Sequence, residues 1–138
     1  MDENNKKILK EGGYRITPQR TQVLCAISTN PQSVEEIYET VSQGTIKTDL
    51  ASVYRALTLF VKLKLVQAVN FGDGKDRYEI LNTHKHHHHA LCTRCGKITD
   101  VELQDGKKLE REASKKTNYR ITGHSLEFFG ICHNCCNA

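Results

Sequence analysis

KTDLASVYRALTLFVKLKLV, residues 47–66, is the stretch that decides the fold. Its apolar side chains recur at helical spacing and predict one face that packs into a core: Leu50, Val53, Leu57 and Phe60. The opposite face carries Ala51, Arg55, Thr58 and Lys62. The stretch therefore predicts a helix with one core face and one basic, hydroxyl-bearing face.

Two shorter helices are predicted upstream. The first begins at Thr17-Pro18, because Thr can cap a helix and Pro suits its first turn. The second follows a capping box formed by Ser33 and Glu36, and it ends before Gly44. These two helices and the one in residues 47–66 make a three-helix unit.

A hairpin is predicted directly after the three helices. Two strand-forming segments, residues 66–71 and 77–81, flank the turn sequence Gly72-Asp73-Gly74. Three helices followed by a hairpin are the element order of a winged helix-turn-helix.

The second half of the chain differs abruptly in composition, because His and Cys become frequent from His84 onward. We therefore expect two domains, residues 1–82 and 83–138. The second is predicted to contain a small sheet and one helix, with strands at about 87–92, 97–103 and 120–131 and the helix at about 106–117. The expected fold class is α+β, with a winged helix first and a small α/β domain second.

Composition limits the class of protein. The chain has 138 residues, 38% hydrophobic content and 26% charged content, which is typical of a globular protein. No apolar stretch approaches the roughly 20 residues that span a bilayer, and the N-terminus lacks the apolar segment of a secretory signal. We expect a cytoplasmic protein without a membrane partner. Each half offers only a thin core, so a metal or a dimer partner is expected. The net charge of +4 does not by itself indicate that the protein binds nucleic acid.

Four cysteines form two pairs with the spacing of metal knuckles. Cys92 and Cys95 precede Gly96, and Cys132 and Cys135 form the second pair. Four thiolates in a closed tetrahedron are typical of a structural Zn²⁺ site, and reduced cytoplasmic cysteines favour a metal over a disulfide. The alternatives are two unrelated turns or a redox pair. Of the two remaining cysteines, Cys136 could compete with Cys135, and Cys25 is predicted to be a buried packing residue.

A run of histidines precedes the first knuckle. In an extended segment side chains alternate, so His87 and His89 face one way while His86 and His88 face the other. One strand can thus supply two metal sites. The alternative is a solvated histidine-rich loop that scavenges metal loosely. Further ligand candidates outside the run are Glu79, Asp100 and His124.

Four stretches in order carry a family resemblance: Tyr14-Arg-Ile-Thr-Pro-Gln-Arg20, Ala51-Ser-Val-Tyr-Arg55, the run from His86 to Lys97, and the segment from His124 to Cys135. Together they resemble the ferric uptake regulator family of bacterial metal-dependent repressors. The resemblance implies a homodimer that binds double-stranded operator DNA, with dimerisation through the C-terminal domain.

The same resemblance implies which residues contact DNA. The positions are Arg15, Arg20, Ser52, Tyr54 and Arg55. Physically, Arg55 can bind a guanine edge with two hydrogen bonds, and Tyr54 can pack on a thymine methyl group. The alternative for Tyr54 is partial burial, because it borders the apolar face of its helix.

Two further metal sites follow from the resemblance. The regulatory site matches Glu79, His87, His89 and Asp100. The second site matches His86, His88 and His124, with Glu110 one helical turn beyond Lys107, which occupies the usual carboxylate position. The chain also departs from the family at Pro31, where many members have a histidine ligand, and His84 could replace a missing ligand.

The expected function is a metal-responsive repressor in which a regulatory Zn²⁺, Fe²⁺ or Mn²⁺ ties the end of the wing to the sheet. The histidine supply and Pro31 favour zinc uptake slightly, with iron or peroxide sensing as the alternative. A metal-storage protein and a zinc hydrolase are distant alternatives. No carboxylate is placed as a general base beside the histidines, so we do not expect an enzyme.

Overall fold

A computed structural model describes residues 2–81, 87–103 and 106–137. The chain divides into two compact units, Met1–Thr83 and His84–Ala138. The predicted domain boundary at 82/83 falls outside the described residues, as do His84 and His86, so the boundary stays a prediction.

The first unit is a winged helix-turn-helix, which confirms the predicted order of elements. Its sheet is antiparallel with β3 in the centre, in the order β1-β3-β2. Its elements are α1 (Glu3–Glu11), α2 (Pro18–Ala26), β1 (Gln32–Ser33), α3 (Val34–Ser42), α4 (Leu50–Lys62), β2 (Val66–Asn70) and β3 (Asp76–Ile80).

Side-chain caps define where the helices begin. Thr17 Oγ1 accepts the backbone N–H of Arg20 at 3.1 Å at the start of α2. Ser33 and Glu36 form the predicted capping box at α3, with each side chain accepting a backbone N–H of the other. Such caps satisfy N–H groups that have no partner within the helix.

The capping box gives a stability prediction. Ser33→Ala removes the acceptor for the Glu36 N–H, and we expect it to lower the free energy of unfolding by about 1 kcal/mol. Ser42→Ala is the matched control, because its hydroxyl bonds the Tyr38 carbonyl at the other end of α3. Urea unfolding of both variants measures the difference. Equal stabilities would show that the box does not stabilise α3.

The core of the first unit lies between the helices and the sheet. From α4 it takes Val53, Ala56, Leu57 and Phe60. Leu50 was wrongly predicted to be buried; it is 40% exposed, because it is the first residue of α4, a turn before Val53. Cys25 is also exposed rather than buried, since the inward positions of α2 are Val23 and Leu24.

Helix α1 was not predicted. Its sequence is mostly polar, but Leu9 is fully buried and belongs to the core. Asp2 caps the helix by accepting the Asn5 N–H at 2.8 Å. One buried leucine in a charged segment gives too weak a periodic signal for a sequence-based assignment.

The second unit holds a three-stranded sheet with β4 in the centre, in the order β5-β4-β6. Strand β4 pairs antiparallel with β5 and parallel with β6. Its elements are β4 (His88–Cys92), β5 (Ile98–Val101), α5 (Gly106–Thr117), β6 (Glu127–Gly130) and α6 (His133–Cys136). The predicted α+β class is confirmed, although β6 is shorter than the strand expected over 120–131 and α6 was not predicted.

Few apolar side chains are buried in the second unit. Among its described residues, the buried apolar ones are Leu91 and Cys92. Six large apolar side chains are instead exposed: Leu103, Leu109, Tyr119, Phe128, Phe129 and Ile131. A unit with so little buried apolar surface needs a further source of stability, such as a bound metal or a partner subunit.

None of the helices in the described ranges combines the length and the apolar character that crossing a membrane requires.

Candidate metal centres and nucleic-acid interface

The sheet of the second unit brings the two cysteine pairs together. Cys92 is the last residue of β4, and Gly96 turns the chain after Cys95 with φ at 79°, a conformation that glycine adopts without strain. Strand β6 runs parallel to β4 and leads directly to Cys132; beside it, the Thr93 N–H donates to the Gly130 carbonyl at 2.8 Å. The second pair therefore returns to the first across the sheet.

The four thiols have the geometry of a tetrahedral zinc site. All four sulfur atoms lie within 4.8 Å of one another, and the Sγ atoms of Cys95 and Cys132 are 3.7 Å apart. A tetrahedron with Zn–S bonds of about 2.3 Å has edges of about 3.8 Å. The thiols therefore fit Zn²⁺ closely.

The backbone prepares one of these sulfurs for metal binding. N–H groups of Cys132 and Cys95 point at the Cys92 sulfur, at 3.3 and 3.5 Å, and lower the pKa of Cys92 to about 6. Hydrogen bonds to neighbouring thiols raise the pKa of Cys135 to about 12, and the bond to the Cys132 thiol has the largest effect. Binding of zinc must therefore displace the Cys135 proton, which makes zinc affinity fall as the pH falls.

Cys136 lies outside this cluster. Its thiol is exposed and donates to the Ile131 carbonyl at 3.6 Å. The structure thus groups Cys135, and not Cys136, with the other three sulfurs.

Two histidines and one carboxylate meet on one face of the second unit. The rings of His87 and His89 lie 4.8 Å apart, as the predicted alternation requires. Asp100 is directly opposite His89 in the β4–β5 pair, with its Oδ1 3.7 Å from His89 Nε2. One ligand atom from each of the three residues lies within 4.8 Å of the others, so they can share one ion.

His88 faces the other way and meets His124. Their Nε2 atoms are 3.3 Å apart, close to the roughly 3.4 Å expected of two nitrogens on one tetrahedral zinc. Glu110 approaches the opposite nitrogen of His124, with Oε1 2.8 Å from Nδ1. The Glu110 carboxylate thus contacts the ring nitrogen of His124 that does not face His88, and its predicted role as a ligand stays a prediction. The fourth predicted member, His86, lies outside the described residues.

The remaining predicted ligand, Glu79, belongs to β3 of the first unit, where it is fully buried. It accepts a hydrogen bond from the side-chain amide of Gln67 on β2. Pro31 is also buried in this unit and offers no side-chain donor atom.

Helix α4 presents the predicted DNA-contacting residues on its exposed face. Tyr54 is 46% exposed, and Arg55 is exposed with its guanidinium donating to Ser52 Oγ at 2.9 Å. Beside them lies a cleft of about 340 Å³ between α2 and α4. Among the residues that the structure describes, none with a carboxylate lines the cleft. Its walls are Tyr14, Thr17, Gln19, Arg20, Val23, Ser52, Arg55, Ala56 and Leu59.

Two cations flank the ring of Tyr14 at this cleft. The Arg20 guanidinium lies 5.8 Å from the ring centre, and Lys62 Nζ lies 3.3 Å from the Tyr14 hydroxyl. Arg20 also donates to the Arg15 carbonyl at 2.7 Å. Positive groups and hydroxyls without carboxylates suit a phosphate backbone. Tyr14 begins one of the four family stretches but was not predicted as a site residue, because nothing in its spacing signals a contact with two cations.

Comparison with known proteins identifies the family. The sequence matches the ferric uptake regulator family over residues 11–129. The ferric uptake regulation protein of Bacillus subtilis strain 168 is 35% identical over 135 residues, 94% of this chain and 91% of that protein. The peroxide-responsive repressor PerR of Staphylococcus aureus strain USA300 is 34% identical over 130 residues, 92% of this chain and 86% of the repressor.

A solved structure agrees with these sequence relatives. The Helicobacter pylori ferric uptake regulator Fur superposes with a TM-score of 0.83 at 28% identity, covering 99% of this chain and 91% of that one. Members of the ferric uptake regulator family are transcriptional regulators. The prediction that the chain is not an enzyme is therefore confirmed. The chain belongs to the ferric uptake regulator family and is a metal-responsive transcriptional regulator.

Proposed function

We propose that this protein is an iron-responsive repressor, which binds operator DNA as a homodimer when its regulatory site holds Fe²⁺. The observation that carries the proposal is the grouping of His87, His89 and Asp100 on one face of the second unit. Imidazole and carboxylate donors together suit ferrous iron.

The relatives support iron or peroxide sensing over the zinc uptake that the sequence favoured. The Bacillus subtilis relative is named for ferric uptake and the Staphylococcus aureus relative for its response to peroxide. Pro31 is compatible with this assignment, because a missing nitrogen donor leaves a coordination position open. The same donors also accept Mn²⁺ and Zn²⁺.

Glu79 is the proposed ligand from the winged-helix unit. Its carboxylate is buried and its family position matches a ligand, so it would join His87, His89 and Asp100. Ligands from both units that share one ion restrict the units to one arrangement. An ion with higher affinity for that arrangement increases its population, and DNA affinity rises with it.

Two features support a permanent zinc and a homodimer in the second unit. The four thiols fit a tetrahedral Zn²⁺, which would replace the missing core as the source of stability. A second copy of the chain would cover the six large apolar side chains that are exposed in this unit. We place the protein in the cytoplasm, where cysteines remain reduced.

The second histidine site is proposed to bind a further ion through His88, His124 and His86. Glu110 would hold the His124 ring through Nδ1 and leave Nε2 for the metal. A carboxylate on the far nitrogen of a ligating histidine is a common outer-shell arrangement.

DNA recognition is assigned to the exposed face of α4 and the adjoining cleft. Arg55 and Tyr54 would contact base edges in the major groove, with Ser52 beside them. Arg20 and Arg15 would contact the phosphate backbone.

Arg55→Ala and Arg20→Ala are expected to weaken DNA binding in different ways. Loss of a bidentate base contact costs about 1–3 kcal/mol, and it relaxes the preference for one base. Loss of a phosphate contact weakens binding to all sequences. It also lowers, by about one, the slope of the logarithm of the binding constant against the logarithm of the salt concentration. Anisotropy titrations at several salt concentrations, with matched and mutated operators, distinguish the two. Identical behaviour of the two variants would contradict the assignment.

Peroxide separates the two sensing roles. Protein loaded with Fe²⁺ or with Mn²⁺ is bound to labelled operator and treated with hydrogen peroxide. If peroxide releases only the iron-loaded protein from the operator, the protein is a peroxide sensor, because ferrous iron reacts with peroxide and Mn²⁺ does so poorly. Retention of both forms, with release on chelation, is the result expected of an iron-responsive repressor. DNA binding that requires Zn²⁺ and ignores Fe²⁺ would contradict the iron proposal.

A further inference from the structure

Gln67 and Glu79 form a directly opposed pair in the wing. The β2–β3 register places their Cα atoms as partners, so both side chains project from the same face of the sheet. The Gln67 amide donates to Glu79 Oε1. Gln67 is half-buried and Glu79 fully buried, so the contact is shielded from solvent.

A buried carboxylate depends strongly on such a donor. Burial of an ionised group without hydrogen-bond partners is costly, and a donor from a fixed strand also selects one side-chain rotamer.

We propose that Gln67 is the positioning residue for the regulatory ligand Glu79. The Gln67 amide orients the carboxylate by its hydrogen bond to Oε1, and the carboxylate held in this orientation binds the metal. This inference rests on the proposed role of Glu79 as a ligand.

The test is cobalt binding to the full chain with its cysteine zinc intact. Co²⁺ is titrated in a His124→Ala background, which removes the second histidine site, and its visible absorption reports the ligand set. Gln67→Met keeps the side-chain length and removes the donor. We expect cobalt affinity to fall about 10- to 100-fold, as for other outer-shell partners, with a changed spectrum at saturation. The bound zinc content should not change.

A matched control separates positioning from general destabilisation. Gln32→Met removes a hydrogen bond from the same sheet, that from the Ser28 N–H to Gln32 Oε1, without touching Glu79. It should leave cobalt affinity and spectrum unchanged. If Gln67→Met does not fold, Gln67→Leu serves as a second variant without the donor.

Two outcomes would overturn the inference. Unchanged cobalt affinity in Gln67→Met would show that the amide does not position the carboxylate, and tighter binding would show that it competes with the metal. Glu79→Gln distinguishes this failure from failure of the ligand assignment. If Glu79→Gln weakens cobalt binding and Gln67→Met does not, only the positioning role is wrong. If neither variant weakens it, Glu79 is not a ligand.

Discussion

Cys92→Ser should abolish zinc binding and unfold the second unit. Cys92 contributes the sulfur that accepts two backbone N–H groups, and it ends the central strand of the sheet. Structural zinc contributes on the order of 10–16 kcal/mol of apparent binding free energy in small zinc domains. The second unit buries too little apolar surface to fold without that contribution.

Zinc content, far-ultraviolet circular dichroism and size-exclusion chromatography measure this effect. The variant should contain no stoichiometric zinc and should lose the dimer along with the sheet. Cys136→Ser and Cys25→Ser are the matched controls, because both thiols are exposed and lie outside the cluster. Full zinc occupancy in Cys92→Ser, or loss of zinc in Cys136→Ser, would show that the wrong sulfurs have been assigned.

The double variant His87→Ala, His89→Ala is expected to lose the response to metal while it keeps the cysteine zinc. It removes both nitrogen donors from the proposed regulatory site and leaves carboxylates, which bind transition metals weakly without imidazole. Coupling between ligand sites in proteins is typically about 5- to 150-fold in affinity. We expect Fe²⁺ to raise the DNA affinity of the unmodified protein by a factor in this range, and to leave the DNA affinity of the variant unchanged.

His133→Ala is the control for this experiment. His133 is exposed, hydrogen-bonds with Asn137 and does not belong to the group formed by His87, His89 and Asp100. It should respond to metal like the unmodified protein. A normal response in the double variant would move the sensor to another site, of which the cluster of His88 and His124 is the first candidate.

The sequence alone was enough to predict the features that follow from a local rule of spacing or alternation. The Cys-x-x-Cys spacings predicted the four-thiol site, because a short turn with a following glycine has few alternative conformations. Alternation along a strand predicted that His87 and His89 would share a face opposite to His88. The Ser33–Glu36 capping box was likewise visible as a pattern of two residues.

The sequence was insufficient where tertiary packing decides. Leu50 has the spacing of a core residue, yet it lies at the exposed beginning of α4. Helix α1 is stabilised by packing of Leu9, which no local pattern reveals. The role of Glu110 depends on which nitrogen of His124 it reaches across 14 residues of chain.

The Gln67–Glu79 pair could have been predicted from the hairpin. The paired residues are symmetric about Asp73, from Asn70 opposite Asp76 to Val66 opposite Ile80. A turn centred on Gly72-Asp73-Gly74 therefore already places Gln67 opposite Glu79. Which functional groups then touch is decided by side-chain packing and could not be predicted from the register alone.

Metal-dependent DNA binding is the central claim, and one titration tests it most directly. The protein, with its cysteine zinc retained, is titrated anaerobically into a labelled palindromic duplex selected from random DNA by the metal-loaded protein. Anisotropy is recorded without added metal and with Fe²⁺, Mn²⁺ or Zn²⁺. We expect Fe²⁺ to raise DNA affinity by about 5- to 150-fold, and a chelator that spares the cysteine zinc to reverse the gain. Equal affinity with every metal and with none would contradict the account.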